Sequence, residues 1–128
     1  MKKNIYYHDT DAGGVVYYAN YLKYMEEARI DFFHDRGLQE NTAAGRQVFF
    51  PVRRCDITYH KPAFYGETIS CTAEVKQTTP ARIIFIQKVI NDKTQETLAE
   101  AEITLACVSA EDFRPIRIPE EVRRQLTH

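Results

Sequence analysis

From Asn20 to Arg36 the apolar residues recur at helical spacing. Tyr21, Met25, Ala28 and Phe32 fall on one face with Tyr24 beside them, while Lys23, Glu26, Glu27 and His34 fall on the other. Leu22, Ile30 and Phe33 widen the apolar arc, which predicts a helix largely enclosed by the rest of the chain. At ~1.5 Å per residue it would be ~26 Å long. Asn20 is its candidate cap and Gly37 its stop. Val15 to Tyr18 reads as a short separate turn before it.

Around this helix the pattern is strand-like. Lys3 to Tyr7 is short, aromatic and β-branched and reads as a first strand. After a polar loop from Gln39 to Gln47 come four runs, Val48–His60, Glu67–Gln77, Ala81–Asn91 and Leu98–Ser109. Alternation is clearest in Arg53-Arg54-Cys55-Asp56-Ile57-Thr58-Tyr59 and in Glu74-Val75-Lys76. Lys61-Pro62-Ala63-Phe64-Tyr65-Gly66, Thr78-Thr79-Pro80 and Asn91-Asp92-Lys93-Thr94 supply the turn formers between them. Turns this short make neighbouring strands antiparallel. Pro119-Glu120-Glu121-Val122 opens a short helix, with proline at its first turn and acids at its positive end. The order predicts an α+β fold: one curled antiparallel sheet wrapped around a long central helix, a short C-terminal helix, and a single domain over residues 1–128.

Composition narrows the function. Hydrophobic residues make up 44% and charged residues 27%, as in ordinary globular proteins, and the formal net charge of −1 argues against bulk electrostatic binding of nucleic acid. No apolar run approaches the roughly 18 residues of a membrane span, and Met1-Lys2-Lys3-Asn4 leads into no apolar signal core. Cys55, Cys71 and Cys107 sit singly in apolar stretches, which fits three core residues in a reducing cytoplasm. Neither they nor the scattered histidines have metal-ligand spacing, so no metal and no cofactor is expected.

The densest chemistry lies between Tyr6 and Tyr21. Acidic and small polar residues, His8-Asp9-Thr10-Asp11-Ala12, precede Gly13-Gly14 and then Val15-Val16-Tyr17-Tyr18 at the approach to the helix. A carboxylate beside unpaired amides at a helix start is the minimum equipment for attack on a carbonyl. Read as loop chemistry alone, Asp9 and Asp11 would simply close a turn. The chain carries no Gly-x-Ser-x-Gly elbow, phosphate loop or dinucleotide fingerprint.

The whole run Tyr7-His8-Asp9-Thr10-Asp11-Ala12-Gly13-Gly14-Val15-Val16-Tyr17-Tyr18-Ala19-Asn20-Tyr21, continued by Tyr24-Met25-Glu26-Glu27-Ala28-Arg29, resembles the signature of hotdog-fold acyl-CoA thioesterases of the YbgC and 4-hydroxybenzoyl-CoA kinds. Weaker echoes lie at Tyr59-His60-Lys61-Pro62-Ala63 and Ala99-Glu100-Ala101-Glu102. The resemblance implies hydrolysis of an acyl-CoA to a free acid and CoA, with CoA as part of the substrate. It also implies subunits paired edge to edge in a homodimer or homotetramer, with active sites at the interface. It puts the catalytic carboxylate at Asp11 and the oxygen-binding N–H at Tyr18. YbgC-type proteins usually carry His where Tyr18 stands and the 4-hydroxybenzoyl-CoA enzymes carry Tyr, so Tyr18 is given the amide role and no proton transfer. His8 stands where an acid is common.

Tyr7 and Val16 are candidate pocket residues, and Glu26 is a second-choice carboxylate. The CoA phosphates call for basic residues at the pocket mouth, with Arg53, Arg54, Lys61, Arg82 and Lys88 as candidates and Arg82 favoured. An acyl-carrier protein is a further possible partner. The competing reading is a hotdog protein that binds acyl-CoA or acyl-carrier protein without catalysis. A hotdog hydratase would pair His with an acid in a motif absent here.

Overall fold

A computed structural model describes residues 1–38 and 48–126. The expected loop at Gln39–Gln47 lies outside the described residues. The main sheet holds six antiparallel strands: β1 (Lys2–Asn4), β3 (Val52–Tyr59), β4 (Thr68–Cys71), β5 (Glu74–Thr78), β6 (Arg82–Asn91) and β7 (Thr97–Ala106). Their spatial order is β1-β4-β6-β7-β3, with β5 also on β6. A small second ladder joins β2 (Val48–Phe49) to β8 (Val108–Ser109). The long helix α1 runs Asn20–Asp35 and the short helix α2 runs Glu120–Leu126.

The strand runs read from the sequence are present but divided. Pro51 lacks an amide hydrogen and separates β2 from β3. β4 and β5 break at Thr72–Ala73 yet keep one register on β6, with Cys71 opposite Val89 and Glu74 opposite Ile86. The expected first strand ends early, at Asn4, because Tyr7–Asp9 winds into a 3-10 turn. α1 ends at Arg36, where Gly37 takes φ +72 and the Leu38 amide donates back to the Phe33 carbonyl at 2.9 Å. Asn20 does not cap the helix. Ala19 holds the cap position without a side-chain bond, and the Asn20 amide group instead donates to the Asp9 carbonyl at 2.8 Å.

The core lies between α1 and the middle of the sheet. On β6 the alternation buries Ile83, Phe85, Gln87 and Val89 toward the helix. Phe32 and Phe33 meet Phe85 edge-on, with ring centroids 5.1 and 6.0 Å apart. Gln87 is fully buried among them. Its Oε1 accepts from Arg29 Nη1 at 2.8 Å, and its Nε2 donates to the Met25 and Thr72 carbonyls at 2.9 and 3.1 Å. This network ties helix to sheet through polar groups that would be costly to leave unpaired.

Two sequence expectations fail for one reason. The helix is not enclosed: Leu22, Lys23, Glu26, Glu27 and Asp31 are exposed. Cys71 and Cys107 are buried, but Cys55 is exposed. α1 packs against β6 and β4, and β3 at the sheet edge is left bare along nearly its whole length. Cys55, Ile57 and Tyr59 alternate toward the helix side, as an apolar pattern should, but among the described residues Ile57 is only half-buried, Tyr59 meets Tyr18 and Tyr21 yet stays exposed, and Cys55 is exposed.

Candidate active site

Asp11, Ala12, Gly13 and Gly14 form a tight reversal. The Asp11 amide donates to the Val15 carbonyl at 2.9 Å and the Gly14 amide to the Asp11 carbonyl at 3.1 Å. Gly14 sits at φ +78, where a side chain would be strained. The Gly13 amide donates to Asp11 Oδ1 at 2.8 Å, which fixes the carboxylate on the turn. A Cβ on Gly13 would lie 3.3 Å from that same oxygen. The Asp11 side chain is otherwise exposed in the single chain.

The turn is anchored at both shoulders. Thr10 and Val16 pair as a β-bridge, and the Val16 amide donates to the Ala63 carbonyl at 2.8 Å. The Ala63 amide in turn donates to the Tyr21 hydroxyl at 3.2 Å. Val16 is buried, so it holds the loop down onto the end of the sheet.

Asp9, two residues before Asp11, is the buried carboxylate of the pair, at 6% exposure. Its Oδ2 accepts from the Tyr6 amide at 2.9 Å, and its carbonyl takes the Tyr17 amide and the Asn20 side chain. The buried Tyr24 hydroxyl sits against Asp9 without a hydrogen bond of good geometry. Burial first, and then Asp9, push the Tyr24 phenol far above its ordinary value. The Asp9 carboxylate is thus buried and tied into the loop, whereas the Asp11 carboxylate is exposed, with the Gly13 amide on Oδ1.

The amides at the helix entrance divide in the same way. Those of Val16 and Tyr17 bond to Ala63 and Asp9, and those of Asn20, Tyr21 and Leu22 close back on Tyr17, Tyr18 and Ala19. Among the described residues the Tyr18 and Ala19 amides donate to nothing. The Tyr18 carbonyl accepts from the Tyr59 hydroxyl at 3.3 Å, and the two rings meet edge-on at 6.1 Å. This contact joins the loop to the end of the bare strand. The Tyr17 ring lies 4.8 Å from that of Tyr18, and the neighbouring phenol raises its pKa.

The remaining candidates scatter. Tyr7 is exposed and packs edge-on against Tyr65 at 5.8 Å, on the rim of the same loop. Lys61 lies close by in sequence but is ion-paired with Glu96. Arg82 is not brought to Asp11 within one chain. It pairs with Ala106 on β7, whereas Tyr59 pairs with Ala99, seven residues or about 23 Å along that strand. Lys88 is exposed opposite Glu100. Glu26 is exposed and, with Arg29, Ile30, Phe33, Phe50 and Val52, lines a cavity of about 310 Å³ between α1 and the start of β3. Sequence reasoning missed Tyr59 as a support for Tyr18 and the Arg29–Gln87 pair beneath the helix. The one available signal was a Gln at a core position of β6. No three His, Cys, Asp or Glu side chains gather to hold a metal among the described residues, and no described helix is long and apolar enough to cross a membrane.

Comparison with known proteins places this architecture. The model of the thioesterase-like superfamily matches residues 6–126. The acyl-CoA thioesterase YbgC of Haemophilus influenzae is 32% identical, over 97% of this chain and 90% of its own. The acyl-CoA thioester hydrolase YbgC of Escherichia coli is 30% identical, over 92% of this chain and 87% of its own. A hypothetical protein from Thermus thermophilus, 31% identical, superposes with a TM-score of 0.89 over 99% of this chain and 95% of its own. The chain belongs to the thioesterase-like superfamily and, within it, to the hotdog-fold acyl-CoA thioesterases of the YbgC kind.

Proposed function

We propose that the protein hydrolyses acyl-CoA thioesters, with Asp11 as the reacting carboxylate and the Tyr18 N–H as the donor to the thioester oxygen. The observation that carries this reading is the division of labour at the loop. The Asp9 carboxylate and the neighbouring amides are engaged by the fold, while Asp11, exposed and held by the Gly13 amide through Oδ1 alone, and the Tyr18 amide are left available on adjoining segments. A new C–O bond forms at the thioester carbonyl, charge builds on its oxygen, and the N–H stabilises that charge. Collapse breaks the C–S bond, and the CoA thiolate leaves and takes a proton. The net reaction consumes one water. The same carboxylate serves whether it attacks directly or activates that water.

The working unit is a dimer joined along β3. A bare edge strand with unpaired backbone groups, exposed Cys55 and Tyr59 and a half-buried Ile57 invites pairing with a second copy. Two β3 strands running antiparallel bring the Val52 end of one protomer beside the Tyr59 end of the other, and hence beside its Asp11 loop. The cavity of about 310 Å³ at the Val52 end then receives the acyl group of a substrate bound at the partner's loop.

A panel of acyl-CoAs with a thiol-trapping dye tests the reading. Release of CoA thiol from at least one of them is expected. Acyl-CoA binding with no thiol release from any would favour a non-catalytic binding protein and end this proposal.

A further inference from the structure

α1 opens on a tight turn. The Asn20 amide donates to the Tyr17 carbonyl at 2.9 Å, the Tyr21 amide to the Tyr18 carbonyl at 3.3 Å and the Leu22 amide to the Ala19 carbonyl at 3.2 Å. Each bond reaches back three residues instead of four. An α-helix leaves its first four amides without helical partners. This opening engages the amides from Asn20 onward and leaves a consecutive pair, Tyr18 and Ala19. The direction of that pair is set from outside the helix. The Tyr18 carbonyl accepts a second bond, from the Tyr59 hydroxyl at 3.3 Å. Among the described residues no other side chain hydrogen-bonds to the backbone between Val15 and Ala19. The Tyr18 carbonyl and the Ala19 N–H are opposite ends of one planar peptide unit, so a bond that fixes the oxygen fixes the N–H as well. It also polarises that peptide, which makes the N–H a better donor. The Tyr59 hydroxyl is itself held in place. The Tyr59 backbone pairs with Ala99 on β7, and its ring meets Tyr18 edge-on at 6.1 Å and Tyr21 at 5.5 Å. Tyr21 is buried, and its hydroxyl accepts from the Ala63 amide at 3.2 Å.

We propose that Tyr59 is a positioning residue for the hydrolysis: by holding the Tyr18–Ala19 peptide it aims the Ala19 N–H beside the Tyr18 N–H, so that two amides meet the thioester oxygen. The inference rests on the thioesterase reading and adds to it a second donor and the side chain that orients it. Successive N–H groups form a concavity that fits a single oxygen carrying negative charge. Such a pair favours the tetrahedral intermediate over the planar thioester, because the full charge exists only once the new C–O bond has formed. The Tyr59 hydroxyl moves no proton in this step and acts only through the peptide. Since Tyr59 lies on β3, the strand at the seam of the proposed dimer also sets the geometry of the reacting amides.

Two readouts on the full-length protein test this. Tyr59→Phe removes the hydroxyl and keeps the ring against Tyr18 and Tyr21. On the acyl-CoA that the wild type turns over best, kcat should fall about three- to tenfold, the worth of one hydrogen bond. KM and the melting temperature should hold, because the lost interaction is made in the transition state. Tyr59→Leu, which loses the ring as well, should lower kcat at least as far, and Phe at this position should restore the melting temperature but not kcat. The second readout needs no turnover. In isotope-labelled protein the Ala19 amide resonance reports the bond to the Tyr18 carbonyl through their shared peptide unit. Tyr59→Phe should shift that resonance more than those of Val16 and Tyr17, whose amides are held elsewhere. A folded Tyr59→Phe protein with wild-type kcat, a loss that falls on KM instead, or an Ala19 resonance that stays in place would each overturn the proposal. A wild type that releases no thiol from any acyl-CoA would remove the thioesterase reading and the catalytic assignment of Tyr59 with it. The Ala19 resonance separates the two failures, since it would still move if Tyr59 holds the peptide.

Discussion

β6 and β3 flank the same strand, β7, and have opposite surroundings. β6 lies under α1, and its alternate residues Ile83, Phe85, Gln87 and Val89 are sealed in the core. β3 has the same alternation, with Cys55, Ile57 and Tyr59 on the helix side, yet stays open. Apolar patterning marks a face meant to be covered, but not whether the cover comes from the same chain. The covered half of the sheet holds the fold together. The bare half carries the Tyr59 contact to Tyr18, the cavity of about 310 Å³ at the Val52 end and the bulged Arg53–Arg54 pair.

That contrast can be broken from either side. Phe85→Ala removes the ring on which Phe32 and Phe33 pack and should cost about 3–5 kcal/mol, measured by denaturant unfolding. A loss below about 1 kcal/mol would mean that β6 is not the core strand. Ile57→Lys on β3 should leave the protomer's circular dichroism intact but weaken the dimer by at least ~10-fold, a loss of one anchor residue. Light scattering across a dilution series reads this, and activity should fall with the dimer. Gln87→Leu removes three hydrogen bonds in the core and should destabilise by about 1–3 kcal/mol while KM holds.

The smallest effect is alkaline. Burial and Asp9 raise the Tyr24 phenol, so the folded state favours its neutral form. That contribution is complete below the unfolded value of about 10 and is lost as pH rises toward the folded one. Tyr24→Phe should therefore flatten the fall in stability above about pH 10. An unchanged slope would mean that Tyr24 titrates freely.

Much of this was legible in the chain. The β6 alternation, the helix stop at Gly37 and the acidic turn before the helix each follow from local residue chemistry. The rest depends on what lies across from a residue. Cys55 reads as core because its strand is amphipathic, but the described residues leave it exposed. Nothing in the sequence links Arg29 to Gln87, and only their mutual placement makes them a buried pair. Arg53 and Arg54 read as alternating, and only the bulge sets them on one face. Asp9 and Asp11 are chemically identical in the sequence, and the two hydrogen-bond sets that separate them appear only once the loop has closed.

The reactive role of Asp11 is tested most directly by kcat of the Asp11→Asn protein on whichever acyl-CoA the wild type turns over best. Asparagine keeps an oxygen for the Gly13 amide, so the turn and the melting temperature should be retained. The expected result is a fall in kcat of at least ~10²-fold in a folded dimer. A folded Asp11→Asn dimer working at the wild-type rate would contradict the account.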